Sequence, residues 1–210
     1  MPELPEVEIV KRSLIKIVNK AKIEDIKIKN KNLRYKIPVN FHEILLNKKI
    51  IKISRRSKYI IIHLKKSILL LHLGMTGKIL VVKKKTNEMF KTSFYYDLNI
   101  IPKHNHIYFF LNNNIILIYN DVRRFGFFKL YKNINEISFL NKLGLEPLSK
   151  NFNYAYFKKN IRNKKKNIKN LLMDQSFVSG LGNIYVNEVL HIAKINPLKV
   201  SNKLKNIEIK

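Results

Sequence analysis

Residues 59–82 read YIIIHLKKSILLLHLGMTGKILVV, three short apolar runs cut first by Lys65-Lys66 and then by Gly74-Met75-Thr76-Gly77. Runs of five or six Ile, Leu and Val residues between turn signals suit buried strands; they are far shorter than the roughly 20 residues of a membrane span. Further runs lie on either side: KIEDIKIK at 22–29 and KIIKIS at 49–54, then HIYFFL at 106–111, IILIY at 115–119 and FGFFKLY at 125–131. Polar clusters such as Asn112 to Asn114 separate them, as between antiparallel neighbours. Many short strands from about Ala21 to Tyr131 predict a β-sandwich or barrel.

Both flanks are helical. From Glu6 to about Asn19 the residues Val7, Val10, Leu14, Ile17 and Val18 recur at three- and four-residue spacing, one face of an amphipathic helix. After Asn133 the β pattern ends and helical spacing returns in EISFLNKLG, YAYFKKNI, IKNLLMD and NIYVNEVLHIAKI. The expected class is α+β: an N-terminal helix plus antiparallel β-sandwich over 1–132, then an all-α region over 133–210.

Composition points to a polyanionic partner. The 210 residues carry 42 Lys and Arg against 14 Asp and Glu, a formal charge of +28, with ordinary hydrophobic content of 46%. Such a surface releases counterions when it meets nucleic acid. Lys, Ile and Asn are over-used throughout, so part of this charge reflects codon bias. Arginine is the more telling cation: there are seven, at 12, 34, 55, 56, 123, 124 and 162, four of them in the pairs Arg55-Arg56 and Arg123-Arg124. No cysteine is present, which excludes disulfides and any Cys-ligated zinc within these residues. The acidic N-terminus has no apolar signal region, and the expected location is the cytoplasm.

The opening MPELPEVE carries chemistry. Removal of Met1, which a small second residue permits, would make Pro2 an N-terminal secondary amine. An α-amino group has a pKa of about 7.7 to 8.0 against about 10.4 for lysine, so much of it is nucleophilic at neutral pH. Attack on a sugar C1′ would leave an iminium that cannot shed its charge by deprotonation, an electron sink for eliminating the 3′ phosphate. Glu3 lies beside Pro2 to move a proton, and Glu6 follows one helical turn on. A plain structural account also exists, in which Pro2 and Pro5 start a helix and Glu3 and Glu6 complement its dipole.

The same opening resembles the N-terminal signature of formamidopyrimidine-DNA glycosylases, and other segments resemble that family in the same order. RRSKYIIIHL at 55–64 is similar to the strand bearing a lysine that acts as general acid in β-elimination, here Lys58. HLGMTG at 72–77 resembles the loop whose methionine enters the duplex, here Met75. KHNH at 103–106 places a DNA-contacting histidine at His104. NDVRRFG at 120–126 resembles the loop with an intercalating arginine and phenylalanine, here Arg123 and Phe125, with Arg124 beside them on DNA. A flipped base leaves a hole to be filled and neighbours to be wedged apart, work for which Met75, Arg123 and Phe125 are suited. Without that loop context, Met75 reads as core filler and Phe125 as an inward strand residue. His72 and His106 read as structural residues.

In the helical half, GLEPL leads into LLMDQSFVSGLGNIYVNEVL, residues 171–190, which resembles the family's helix-two-turns-helix signature. A glycine-bearing turn there opens onto a helix N-terminus that favours a phosphate, with Asn183 as a cap-like side chain able to donate to it. Lys164 and Lys169 correspond to family lysines near DNA and the base pocket, although the surrounding lysine run also reads as a solvated face. The resemblance implies a monomeric glycosylase and abasic-site lyase that removes 8-oxoguanine and formamidopyrimidines from damaged double-stranded DNA. Family members continue into a four-cysteine zinc finger, so the helix-two-turns-helix domain is expected to be incomplete here, with no metal or other cofactor within this chain. Two rivals stand beside this reading: an endonuclease VIII-like preference for oxidised pyrimidines, against which PEL rather than PEG at 2–4 counts, and an inactive DNA-binding remnant. The joint retention of Pro2, Glu3, Lys58 and Arg123 argues against the remnant.

Overall fold

The structure, a computed structural model, describes residues 2–18, 20–92 and 100–209. The chain forms two compact units, 1–137 and 138–210. The division falls five residues beyond the change of sequence pattern at 132/133, and the last residue of the first unit, Ile137, is fully buried.

The first unit opens with helix α1 (Leu4–Val18), whose buried face is Leu4, Val7, Val10, Leu14 and Val18. The expected last helical residue, Asn19, lies outside the described residues. The strands are β1 (Ile23–Ile28), β2 (Ile50–Arg56), β3 (Tyr59–Leu64), β4 (Ser67–His72), β5 (Lys78–Lys83), β6 (Met89–Lys91), β7 (Asn105–Leu111), β8 (Ile115–Asn120) and β9 (Phe127–Tyr131). They make a five-stranded sheet in the order β1-β7-β8-β5-β6 and a four-stranded sheet in the order β2-β3-β4-β9, with every pairing antiparallel.

All eight apolar runs read as strands are strands. Strand β6 and a five-residue helix α2 (Phe41–Leu45) were not legible as such. One cluster joins Val7, Val10 and Leu14 of α1 to Ile53, Ile60, Ile62, Leu69 and Leu71 of one sheet and Ile79, Ile107, Phe109 and Leu117 of the other. Helix α1 therefore contributes a whole face to the sandwich core, which is where its apolar stripe goes. In β3 and β4 the opposite face is buried as well, at Ile61, Ile68 and Leu70. That is why these runs read as continuous rather than alternating.

Three connections cross from sheet to sheet, a long one over residues 29–49 that carries α2 from β1 to β2 and two short ones. Residues 73–77 join β4 to β5, and residues 121–126 join β8 to β9. Since β4 pairs with β9 and β5 with β8, the two short crossovers lie side by side at one edge of the sandwich.

The second unit contains α3 (Ser138–Asn141), α4 (Tyr154–Ile161), α5 (Ile168–Met173), α6 (Asn183–Ile192) and α7 (Asn206–Ile209). Its own core gathers Ile161, Ile168, Leu171, Leu172, Phe177, Val178, Val186 and Leu190. Side chains of Asn153 and Asn167 cap α4 and α5 by accepting from the N–H groups of Tyr156 and Asn170. Among the described residues no helix is long and apolar enough to cross a membrane.

Candidate active site

The start of α1 has an unusual cap. Glu3 precedes the first helical residue, and its backbone N–H donates to Glu6 Oε2 at 2.8 Å. This is half of a capping box, with the helix-side carboxylate reaching back to the residue before the helix. Glu6 is thus held by the backbone of the chain start. Glu3 itself is only 1% exposed, and Pro2 beside it is half-buried. A buried carboxylate next to the chain's second residue is more than a dipole-complementing surface charge requires.

Lys58 reaches the same place from another element. It sits in the tight turn between β2 and β3, where Ser57 takes a left-handed conformation (φ 54°). Burial draws its ammonium pKa below the usual lysine value, and the nearby Glu3 and Glu6 carboxylates push back without cancelling that effect. A charged bridge secures the turn. Glu8 on α1 accepts from Arg55 Nε at 2.8 Å, and an Nη of Arg55 donates to the Ser57 carbonyl at 2.8 Å, one residue before Lys58. Burial works against the Glu8 charge, yet hydrogen bonds from Lys11, Arg55 and Arg12 hold its carboxyl at about 2. The structure therefore brings Pro2, Glu3, Glu6 and Lys58 together, and the Glu8 and Arg55 tie was missed by sequence reading.

Met75 and Phe125 are exposed, at 38% and 42%, so neither is the core residue that a context-free reading would make it. Met75 lies in the β4–β5 crossover and Phe125 in the β8–β9 crossover. The Arg123 guanidinium stands 4.6 Å from the centre of the Phe125 ring. Arg124 takes a left-handed conformation (φ 56°) beside it. Arg123, Arg124 and Phe125, with Asn32, Leu33 and Arg34, line an open cleft of about 640 Å³. Three guanidinium groups and no carboxylate line it, an arrangement suited to phosphate. Arg34 was recognised only as one of seven arginines; the signal was the scarcity of arginine in a lysine-rich chain.

His104 ends a short 3-10 turn, and its carbonyl accepts from the Asp121 N–H at 3.0 Å, so it adjoins the Arg123 loop. His106 is buried, and its Nε2–H donates to the Asp121 carbonyl at 2.7 Å. His72 is stacked on Phe127 with ring centres 5.3 Å apart, and its Nδ1 accepts from the Gly74 N–H at 3.0 Å. Burial, helped by Lys58 and Arg34, lowers its pKa to about 4. The imidazole is therefore neutral at physiological pH, with its proton on Nε2.

The residues of the second unit sit as follows. Gly182 is the N-cap of α6, and no side chain caps this helix; Asn183, expected to be cap-like, is instead its first, exposed residue. Gln175, missed in the sequence, builds the preceding turn: its amide donates to the Leu181 carbonyl at 2.8 Å and accepts from the Gly180 N–H at 2.9 Å. Lys164 is exposed after α4, and Lys169 is half-buried on α5. Among the described residues no group of His, Asp or Glu side chains could hold a metal ion, and the chain has no cysteine.

Residues 1–128 match the formamidopyrimidine-DNA glycosylase N-terminal domain family, and residues 143–210 match the H2TH domain of the same enzymes. A formamidopyrimidine-DNA glycosylase of Wolbachia pipientis is 39% identical, spanning 99% of this chain and 72% of the relative. One from Rickettsia bellii is 42% identical, spanning 100% and 73%. Among solved structures, Lactococcus lactis Fpg bound to abasic-site DNA superposes with a TM-score of 0.83 at 35% identity, covering 99% of this chain and 72% of that one. The same protein in complex with DNA containing an oxidised pyrimidine gives 0.85, also at 35% identity, covering 99% and 74%. With both domain matches in order and relatives of this similarity along the whole chain, the protein belongs to the formamidopyrimidine-DNA glycosylase family.

Proposed function

We infer that this chain, acting as a monomer, removes oxidised purines such as 8-oxoguanine and formamidopyrimidines from duplex DNA in base-excision repair and then cuts the strand at the abasic site. With Met1 removed, the Pro2 amine attacks C1′ of the flipped nucleotide. The glycosidic bond breaks with its electron pair going to the base, which leaves carrying the proton that the Pro2 nitrogen sheds on attack. Glu3 passes a proton to the sugar ring oxygen as the ring opens, and an iminium joins the Pro2 nitrogen to C1′. That nitrogen has no proton left to lose, so the positive charge instead acidifies C2′. Loss of the C2′ proton expels the 3′ phosphate, to which Lys58 donates, and water then hydrolyses the adduct. Met75, Arg123 and Phe125 fill and wedge the vacated stack, while His104, Arg124, Lys164, Lys169 and Asn183 meet the DNA backbone and base pocket.

The observation that carries this reading is the buried Glu3 carboxylate beside Pro2, sharing its surroundings with a desolvated Lys58 from a separate hairpin. Family membership and relatives crystallised on damaged DNA support the substrate class. Borohydride trapping tests it, on duplexes carrying either 8-oxoguanine opposite cytosine or an abasic site, with a Pro2→Gly control. Covalent adducts on both duplexes, lost in the control, are expected. An adduct on the abasic duplex alone would limit the chain to lyase chemistry, and none on either would leave a DNA-binding protein.

A further inference from the structure

The two crossovers that carry Met75 and Arg123-Phe125 are not independent loops. Asp121, fully buried at the start of the second, engages both. Its Oδ1 accepts from the Thr76 hydroxyl at 2.5 Å, and its Oδ2 accepts from the Tyr119 hydroxyl and the Gly126 N–H, each at 2.9 Å. The Thr76 hydroxyl, having donated to Asp121, accepts the Arg123 N–H at 3.0 Å. One hydroxyl therefore links the residue after Met75 to the backbone of Arg123. The loops also touch backbone to backbone. A Cβ at Gly74 (φ 65°) would stand 2.4 Å from the Gly126 nitrogen, and one at Gly126 would stand 1.7 Å from the Tyr119 hydroxyl. Only glycine permits that approach. Beneath them, His104 and His106 fix the Asp121 backbone from both sides.

We propose that Thr76 and Asp121 are positioning residues that lock the two loops into one wedge, so that Met75, Arg123 and Phe125 enter a duplex with a fixed mutual geometry. The proposal rests on the wedge role given above to those three residues. A base leaving the stack opens a gap of fixed height, and three side chains on two loops fill it together only if the loops keep their spacing. The Thr76 hydroxyl is engaged by Asp121 and the Arg123 N–H, so its effect is assigned to opening the stack and not to the chemistry at C1′.

Thr76→Val keeps shape and β-branching while removing both hydrogen bonds; Thr76→Ser restores them. Single-turnover excision is measured on 8-oxoguanine opposite cytosine and on the same lesion opposite a one-nucleotide gap, where no partner base must be held. Thr76→Val should slow excision about tenfold on the paired duplex, the effect of losing one or two hydrogen bonds. It should leave the gapped duplex within about twofold, and Thr76→Ser should recover the paired rate. A 2-aminopurine opposite the lesion should also show a smaller fluorescence rise on binding Thr76→Val, a readout independent of turnover. Equal slowing on both duplexes, or no slowing on the paired one, overturns the proposal. Met75→Ala and Phe125→Ala run alongside: if they slow only the paired duplex and Thr76→Val does not, the lock alone fails. If neither has any effect, the wedge reading fails and the lock with it.

Discussion

Lys58 is held where its charge is unfavourable. Burial lowers its pKa despite Glu3 and Glu6, so the unfolded chain binds that proton more tightly than the folded one. The ammonium therefore opposes folding at every pH below its folded pKa, and the penalty fades as pH rises through that value towards the ordinary lysine range. Lys58→Met should raise the melting temperature at pH 7 while slowing strand cleavage at a preformed abasic site, both read on one preparation. A lower melting temperature would mean that the Glu3 and Glu6 attraction outweighs burial. Glu3→Gln should cut excision by about 10²- to 10⁴-fold, the usual contribution of a placed acid or base. The helix cap should survive the change, because Glu6 engages the Glu3 backbone, while the melting temperature should fall modestly as Lys58 loses a carboxylate that offsets its burial. Pro2, Glu3 and Lys58 were legible because their motifs are contiguous. Thr76 and Asp121 were not, because partners 45 positions apart meet only after both crossovers form.

Between elements, the tie from α1 to the β2–β3 hairpin depends on charge. Glu8, held at about 2 against an unfolded value near 4.5, contributes stability that is complete above the unfolded value and is lost as pH falls towards the folded one. Glu8→Gln should therefore lower the melting temperature at pH 7 and flatten its decline between about pH 4.5 and 2. A parallel, undiminished acid decline in the variant would assign that limb to other carboxylates, such as Asp174, which Ser176 and Lys166 also hold at about 2. Because Arg55 braces the Ser57 carbonyl, Arg55→Ala should slow strand cleavage more than base excision, since it loosens Lys58 and not Pro2. The elements themselves were legible wherever a run was long enough to show a period, as in α1, β3 and β4. Helix α2 was not: five residues hold less than two turns, and buried Phe41 and Leu45, not periodicity, keep it helical. Strand β6, at three residues, exists only through its pairing with β5.

At the scale of the whole chain, a charge of +28 gives affinity without giving selectivity. Each phosphate neutralised releases about 0.9 counterions, so binding should fall steeply with salt whether or not the duplex is damaged. Lesion preference must come from residues that act only once a base has left the stack. These two contributions separate by substitution. Arg124→Ala, in the first unit, and Lys164→Ala, in the second, should each lower the slope of log K against log salt by about 0.9 and weaken intact and damaged duplexes alike. Met75→Ala should keep the slope and lose only the preference for damage. The double variant carries the argument furthest, because its two cations belong to separate compact units. If one duplex touches both units, the slope should fall by about 1.8, twice the single effect. If the slope falls no further than in one single variant, only one of these cations meets phosphate, and selectivity then has to be built within a single unit.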